Sequence, residues 1–423
     1  MSDLRPLAEV DPTVADLVGA DVARQRTHVH LIASENFVSR AVMQASGSVF
    51  TNKYSEGYPG RRYYEGCEVV DRIEDLARDR AEDLFGAGHA NVQPHSGAQA
   101  NMAVYFGLLD PGAKILGMRL DQGGHLTHGS PVNFSGRLFD FAGYGVDPDT
   151  ELVNMDEVRR IARQERPEMI VAGYSAYSRL LDWAAFREIA DEVGALLLVD
   201  AAHILGLIAG GSHPDPVPHA HFVTGTTHKA FRGPRGGIIL SEERFAEEID
   251  KGVFPNTQGG ALNNQIAGKA VCFAEAATPE FREYAHQVVR NADAMASAMR
   301  AAGARIVSGG TDNHVFLTDL RSVDEGLTGR DAARLLSTVG ITLNSNPIPF
   351  DPRPPYRASG IRIGTPAATT CGMEEPQLAE VGELIVSALR HRDDEARLRE
   401  IRERVRQLTA EFPAYPPDFP GHA

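Results

Sequence analysis

The sequence predicts an α/β protein: a large, mostly parallel sheet covered by helices, followed by a smaller C-terminal α+β unit. Three observations carry this. From about Ala90 to Leu240, short continuous apolar runs alternate with longer helical patterns, the signature of strands buried on both faces. Several runs end directly in polar residues, namely His95-Ser96, His125, Ser175, Asp200 and Lys229. Open α/β sheets bind ligands at the carboxyl ends of their strands, so one shared site is expected there. After about Thr278 the alternation gives way to a long helical pattern and shorter strands. The expected organisation is a helical arm over 1–30, a large unit over 31–278 and a small unit over 279–423.

Taken in order, Val14, Leu17 and Val18 give an amphipathic helix up to about Arg26. The strand candidates are Ala90-Asn91-Val92, Lys114 to Gly117, Met169 to Ala172, Leu196 to Val199, Phe222 to Thr224 and Gly237 to Leu240. Beyond Thr278, a helix near 281–301 precedes strands at Arg305 to Ser308 and His314 to Leu317. Helices near 329–338 and 376–390 flank a strand at Gly360 to Gly364. The charged stretch 392–408 predicts a surface helix, and Pro413 to Ala423 a loose tail.

With 423 residues, 43% of them hydrophobic, the chain can bury a large core. Its formal charge of −15 argues against nucleic acid as a partner, although a local basic patch can still take an anionic ligand. Cys67, Cys272 and Cys371 have no metal-ligand spacing and are too few for a disulfide framework, so no metal and a reducing cytoplasm are expected. The first residues lack the basic start and apolar core of a secretion signal. The most apolar stretch, near 194–211, is interrupted by Asp200 and His203, so no membrane span is expected.

The chemistry centres on Lys229, in Thr226-Thr227-His228-Lys229-Ala230-Phe231-Arg232-Gly233-Pro234-Arg235. A lysine able to form a Schiff base, with an acid such as Asp200 to hold a pyridinium nitrogen, is what pyridoxal 5'-phosphate requires. Ser96-Gly97, following a strand and opening a helix, makes an amide-rich cup for a phosphate.

These segments, with Leu31 to Asn36, Asn52 to Gly60, Arg62-Tyr63-Tyr64, Gly123 to Ser130 and Ser359 to Pro366, resemble serine hydroxymethyltransferase, a fold-type I pyridoxal-phosphate enzyme. The resemblance runs over nearly the whole chain. It implies hydroxymethyl transfer between L-serine and tetrahydrofolate, the folate acting as cosubstrate. It makes Lys229 the Schiff-base residue, with Glu56, His228 and Tyr64 as catalytic partners. Asp200 pairs with the pyridine nitrogen, His125 stacks on the ring, and His203 lies near its phenolic oxygen. Ser96, Gly97, Ser175, Thr226 and Arg235 complete the cofactor set. Tyr54, Gly259 and Gly260 are expected from a neighbouring subunit, which implies an obligate homodimer or a tetramer built from it. Arg362 is the clamp for the amino-acid carboxylate, because a guanidinium holds both oxygens at once. Ser34 and Tyr64 join it at the substrate. Leu120, Gly124, Leu126, Asn346 and Tyr63 are expected around the folate.

Some positions depart from the commoner bacterial pattern. Ala98 replaces a serine, Ala230-Phe231 replaces Thr-Leu, and Asn263-Asn264 replaces Met-His. Because residue 230 adjoins Lys229, the space around the substrate α-carbon is expected to differ. Two other substrate classes therefore stand beside serine: α-methylserine, giving D-alanine, and folate-independent aldol cleavage of β-hydroxy amino acids.

Overall fold

The computed structural model describes residues 5–419 and 421. The large sheet has seven strands in the order His89–Asn91, Gly237–Ser241, Phe222–Thr226, Leu196–Asp200, Met169–Gly173, Lys114–Met118 and Asp140–Tyr144. Only Gly237–Ser241 runs antiparallel to its neighbours. The central strands are buried along their length, as their uninterrupted apolar runs require. Each fully buried Leu, Ile or Val contributes about 1.5–3 kcal/mol of hydrophobic stabilisation. The edge strand Asp140–Tyr144 escapes the sequence pattern because only Tyr144 on it is buried.

A second sheet, in the order Arg305–Ile306, Val315–Asp319, Gly360–Gly364 and Asn344–Asn346, is antiparallel throughout. Helices Pro279–Ala301 and Glu375–Arg390 cover it, the latter started by a reciprocal capping box between Glu374 and Gln377. The run expected as a strand through Ser308 breaks after Ile306, where Ser308 takes a left-handed φ of 56°. The short polar strand Asn344–Asn346 carries no apolar signal. Val29–His30 pairs with Ile341–Thr342, so Val29 and Leu31 pack with Phe316 and Ile363 rather than with the large sheet.

Helix Pro12–Thr27 buries none of its residues, and Leu17 is 66% exposed. Helix Glu395–Glu411 buries Leu398, Ile401, Val405 and Leu408 and turns its charges outward. The segment expected as a loose tail is instead docked: Tyr415 stacks on Phe419, meets Phe37 edge-on, and Arg26 donates to the Pro417 carbonyl. Aromatic contacts, invisible to a composition reading, hold it. Residues 1–4, at the start of the expected helical arm, and 420, 422 and 423, in the expected loose tail, lie outside the described set. Among the described residues, no helix is long and apolar enough to cross a membrane.

Candidate active site

The carboxyl ends of the parallel strands open into a cavity of about 870 Å³. It is lined by Ser34, Leu120, Gly124, His125, Leu126, Ser175, His203, His228, Lys229, Arg235, Asn346 and Arg362, all expected at a site from the sequence. Gly124 must be a glycine, since a Cβ there would sit 2.0 Å from the Met118 carbonyl oxygen.

Lys229 follows strand Phe222–Thr226 in a tight turn. Burial lowers its amine to about 8, with Arg362 and Arg235 adding to the effect and Asp200 opposing it. At pH 7 about a tenth is therefore free amine, the nucleophilic form, far more than for an ordinary lysine. Asn36 Nδ2 donates to the Lys229 carbonyl at 3.1 Å and to the Tyr284 hydroxyl at 2.8 Å. Tyr284 in turn donates to the Ala230 carbonyl at 3.0 Å, and Thr370 donates to Asn36 Oδ1 at 2.7 Å. The turn bearing the lysine is thus tied to elements of both units.

Asp200 ends its strand, Leu196–Asp200, and is buried. Burial alone would raise its carboxyl, but hydrogen bonds from His128 and Asn101 hold it well below the usual carboxylate range. Asn101 Nδ2 donates to its Oδ2 at 2.9 Å and to Thr127 Oγ1 at 2.8 Å. The Thr127 amide donates to His125 Nδ1 at 3.2 Å, and that nitrogen is 2.8 Å from Thr127 Oγ1. An amide N–H can only donate, so His125 Nδ1 is an acceptor and the ring proton sits on Nε2. By the same logic the His125 amide, 3.3 Å from His128 Nδ1, leaves His128 Nε2 to donate to Asp200 at 3.1 Å. Burial lowers His125 to about 4 and His228 to about 3, so both rings are neutral at physiological pH.

Arg362 comes from the small sheet. Its Nη1 donates to the Ser175 carbonyl at 2.9 Å and its Nε to Asn344 Oδ1 at 3.3 Å. Among the described residues no carboxylate pairs with it, and burial lowers it to about 10. A desolvated guanidinium with free donors facing a cavity is a receptor for an anion.

Ser96 caps helix Gly97–Leu108 by accepting from the Gln99 amide at 3.2 Å. A Cβ on Gly97 would meet Thr226 Cγ2 at 2.8 Å, so the cup closes only with glycine. Ser96, Gly97, Thr226 and Asp200, also expected at the site, are not among the residues that line the cavity.

Six expected residues stand elsewhere. Tyr54, Tyr63 and Tyr64 are 56%, 72% and 47% exposed, and with Glu56, Gly259 and Gly260 they line no part of the cavity. They form a face of their own: the Tyr54 hydroxyl donates to Glu56 Oε1 at 3.3 Å, and the Tyr54 and Tyr64 rings meet edge-on at 5.3 Å. Positions for a Cβ on Gly259 and Gly260 fall 3.2 Å from Glu56 Oε1 and Tyr54 Cζ. Glu56 beside it pushes the Tyr64 phenol up. Arg62 fixes this loop from below, its Nη1 donating to the carbonyls of Ser55 and Gly57 on either side of Glu56. Asp71 and Glu74 hold Arg62 at 2.8 and 2.6 Å in a buried pairing.

The sequence reading did not single out Asn101, Thr127 or His128, which set the Asp200 and His125 geometry, nor Asn36. Thr127 and His128, inside the Gly123 to Ser130 motif, and Asn36, at the end of the Leu31 to Asn36 motif, carried a signal; Asn101 carried none. Glu35, Pro347, Ile348, Phe350, Asp351 and Arg353 also line the cavity and sit in loops without periodicity. Ala230 goes the other way. It is 1% exposed within the main hydrophobic cluster and does not line the cavity, so its departure repacks the core, not the substrate space.

A partly neutral lysine, a carboxylate kept ionised, a glycine-closed helix N-terminus and an unpaired guanidinium match the amine, pyridine nitrogen, phosphate and substrate carboxylate of pyridoxal-phosphate chemistry. Among the described residues no group of three or more His, Cys, Asp or Glu could hold a metal. The family model for serine hydroxymethyltransferase matches residues 7–385. With a mostly parallel seven-stranded sheet and this strand-end site, the chain belongs to the serine hydroxymethyltransferase family of pyridoxal-phosphate transferases, fold type I.

Proposed function

We propose that the protein transfers a hydroxymethyl group between L-serine and tetrahydrofolate, giving glycine and 5,10-methylenetetrahydrofolate. The observation that carries this is the unpaired Arg362 guanidinium in one cavity with Lys229. When bound, pyridoxal phosphate supplies an electron sink for the pair left on the amino-acid α-carbon. Lys229 offers its free amine, and Asp200, oriented by Asn101 and His128, keeps a pyridine nitrogen protonated. His125 presents its ring face, while the cup at Ser96 and Gly97 takes a dianionic phosphate, with Thr226 behind it. Arg362 binds the substrate carboxylate, with Ser34 at its side, and so fixes which α-carbon bond stands ready to break.

Glu56 and Tyr64 act on protons: one takes the proton of the substrate hydroxyl, the other steadies the resulting charge. In one chain they lie apart from the cavity. The reading therefore includes a two-fold dimer, in which Tyr54, Glu56, Tyr63, Tyr64, Gly259 and Gly260 of one protomer complete the cavity of the other. Leu120, Leu126, Gly124 and Asn346 at the mouth give the pteridine an apolar slot with one polar edge. Free cysteines at 67, 272 and 371 fit a reducing cytoplasm.

The core position of Ala230 favours serine over α-methylserine. The test is product analysis with purified protein on L-serine and α-methyl-L-serine, each with and without tetrahydrofolate. Glycine formed only with serine and folate is expected. D-alanine from the methylated substrate at a higher kcat/KM overturns the substrate, and folate-independent cleavage overturns the transfer.

A further inference from the structure

We propose that His314 is a positioning residue that sets the tautomer of His203, so that His203 presents an N–H to the ligand in the cavity. The two rings come from different units. His203 follows strand Leu196–Asp200 of the large sheet, and His314 precedes strand Val315–Asp319 of the small one. Their planes are 24° apart with centroids at 5.5 Å, and His203 Nδ1 lies 3.3 Å from His314 Nε2. His314 is fully buried, and its Nδ1 has no hydrogen-bond partner among the described residues.

One proton lies between the two facing nitrogens, and it can belong to either ring. If His203 donated it, His314 would have to carry its own proton on Nδ1. That would bury an N–H donor with nothing to receive it, an arrangement native structures almost never keep. If His314 donates from Nε2, its Nδ1 is merely an unused acceptor. The second assignment is favoured, and it forces the His203 proton onto Nε2, which has no partner among the described residues but, unlike the buried His314 Nδ1, belongs to a residue that lines the cavity, where solvent or a ligand can accept it. Protonating either ring fully is opposed by burial and by the nearby Lys229 and Arg362 cations. The small unit thereby decides whether a cavity residue of the large unit is a donor or an acceptor. The ligand atom opposite must then be an acceptor, such as an anionic oxygen. Assigning that oxygen to pyridoxal phosphate rests on the function proposed above, whereas the tautomer does not.

The test is long-range proton–nitrogen correlation of histidine rings in the full chain labelled at histidine, with the His203 signal assigned through His203→Gln. The expected result is a protonated Nε2 and an unprotonated Nδ1 on His203. His314→Phe keeps an aromatic ring at this position but removes the donor, and should release His203 into a mixture of tautomers. His314→Gln, whose amide nitrogen reaches the same point, should restore the single tautomer. A wild-type His203 protonated on Nδ1 overturns the proposal without any variant, and so does a His203 signal unchanged in a folded His314→Phe protein. A protonated Nε2 in protein that binds no pyridoxal phosphate overturns only the functional reading.

Discussion

The wall around Lys229 and the face around Glu56 are built by opposite means. In the wall, burial does the tuning: it pulls the Lys229 amine to about 8, holds His125 at about 4 and leaves Arg362 with no carboxylate partner. In the face, the side chains are open to solvent and the order lies in the backbone, clamped from beneath by the buried Arg62. A wall of that kind holds a ligand and sets its protonation. A face of that kind is shaped to meet something brought to it. On the function proposed above, neither half by itself carries all the groups that the transfer would use.

The sharpest way to break this division is to mix two damaged chains. Lys229→Ala should lower turnover by at least about 10³-fold, and Glu56→Gln by about 10²–10⁴-fold while amino-acid binding survives. If the two halves meet across a dimer, random pairing of equal amounts leaves about one quarter of the sites intact and restores about a quarter of wild-type turnover. No recovery in tagged mixed dimers would place Glu56 at its own chain's cavity.

Arg362→Ala tests the wall alone. Removing a desolvated charge from an ion pair with substrate should weaken glycine binding at least about thirtyfold, read by titration of the cofactor band. Unchanged glycine affinity would mean that the guanidinium only braces Ser175 and Asn344.

A smaller effect concerns pH. The free amine is the reactive form of Lys229, and it accumulates as pH rises through the lowered value of about 8 instead of the ordinary 10.5. Capture of added pyridoxal phosphate by cofactor-free protein should quicken with a midpoint near pH 8 and level off about one pH unit above it. A rate still climbing toward pH 10 would show an amine that water reaches freely.

The smallest change in chemistry is expected at Ala230. Because it packs in the core, Ala230→Thr should leave the ratio of kcat/KM for serine and α-methylserine within about threefold and instead cost about 1–3 kcal/mol of stability by overpacking. A tenfold change in the ratio would bring residue 230 back to the substrate.

Much of this was legible in the chain because it is local. Continuous apolar runs of strand length, several of them ending in a polar residue, determined the large sheet and the edge at which the site opens. The motifs around Lys229, Ser96 and Arg362 determined the family and most of the cavity lining. What only the tertiary structure decided is long-range or carries no period. The edge strand Asp140–Tyr144 and the polar strand Asn344–Asn346 lack apolar runs, and the C-terminal segment docks through single aromatic contacts. Arg362 reaches Ser175 across 187 positions, and His203 meets His314 across 111. The separation of Glu56 from Lys229, and the turning of Ala230 into the core, are likewise packing outcomes. Hydrophobic periodicity reports which face of an element is buried, but which buried groups then meet depends on how the layers close upon one another.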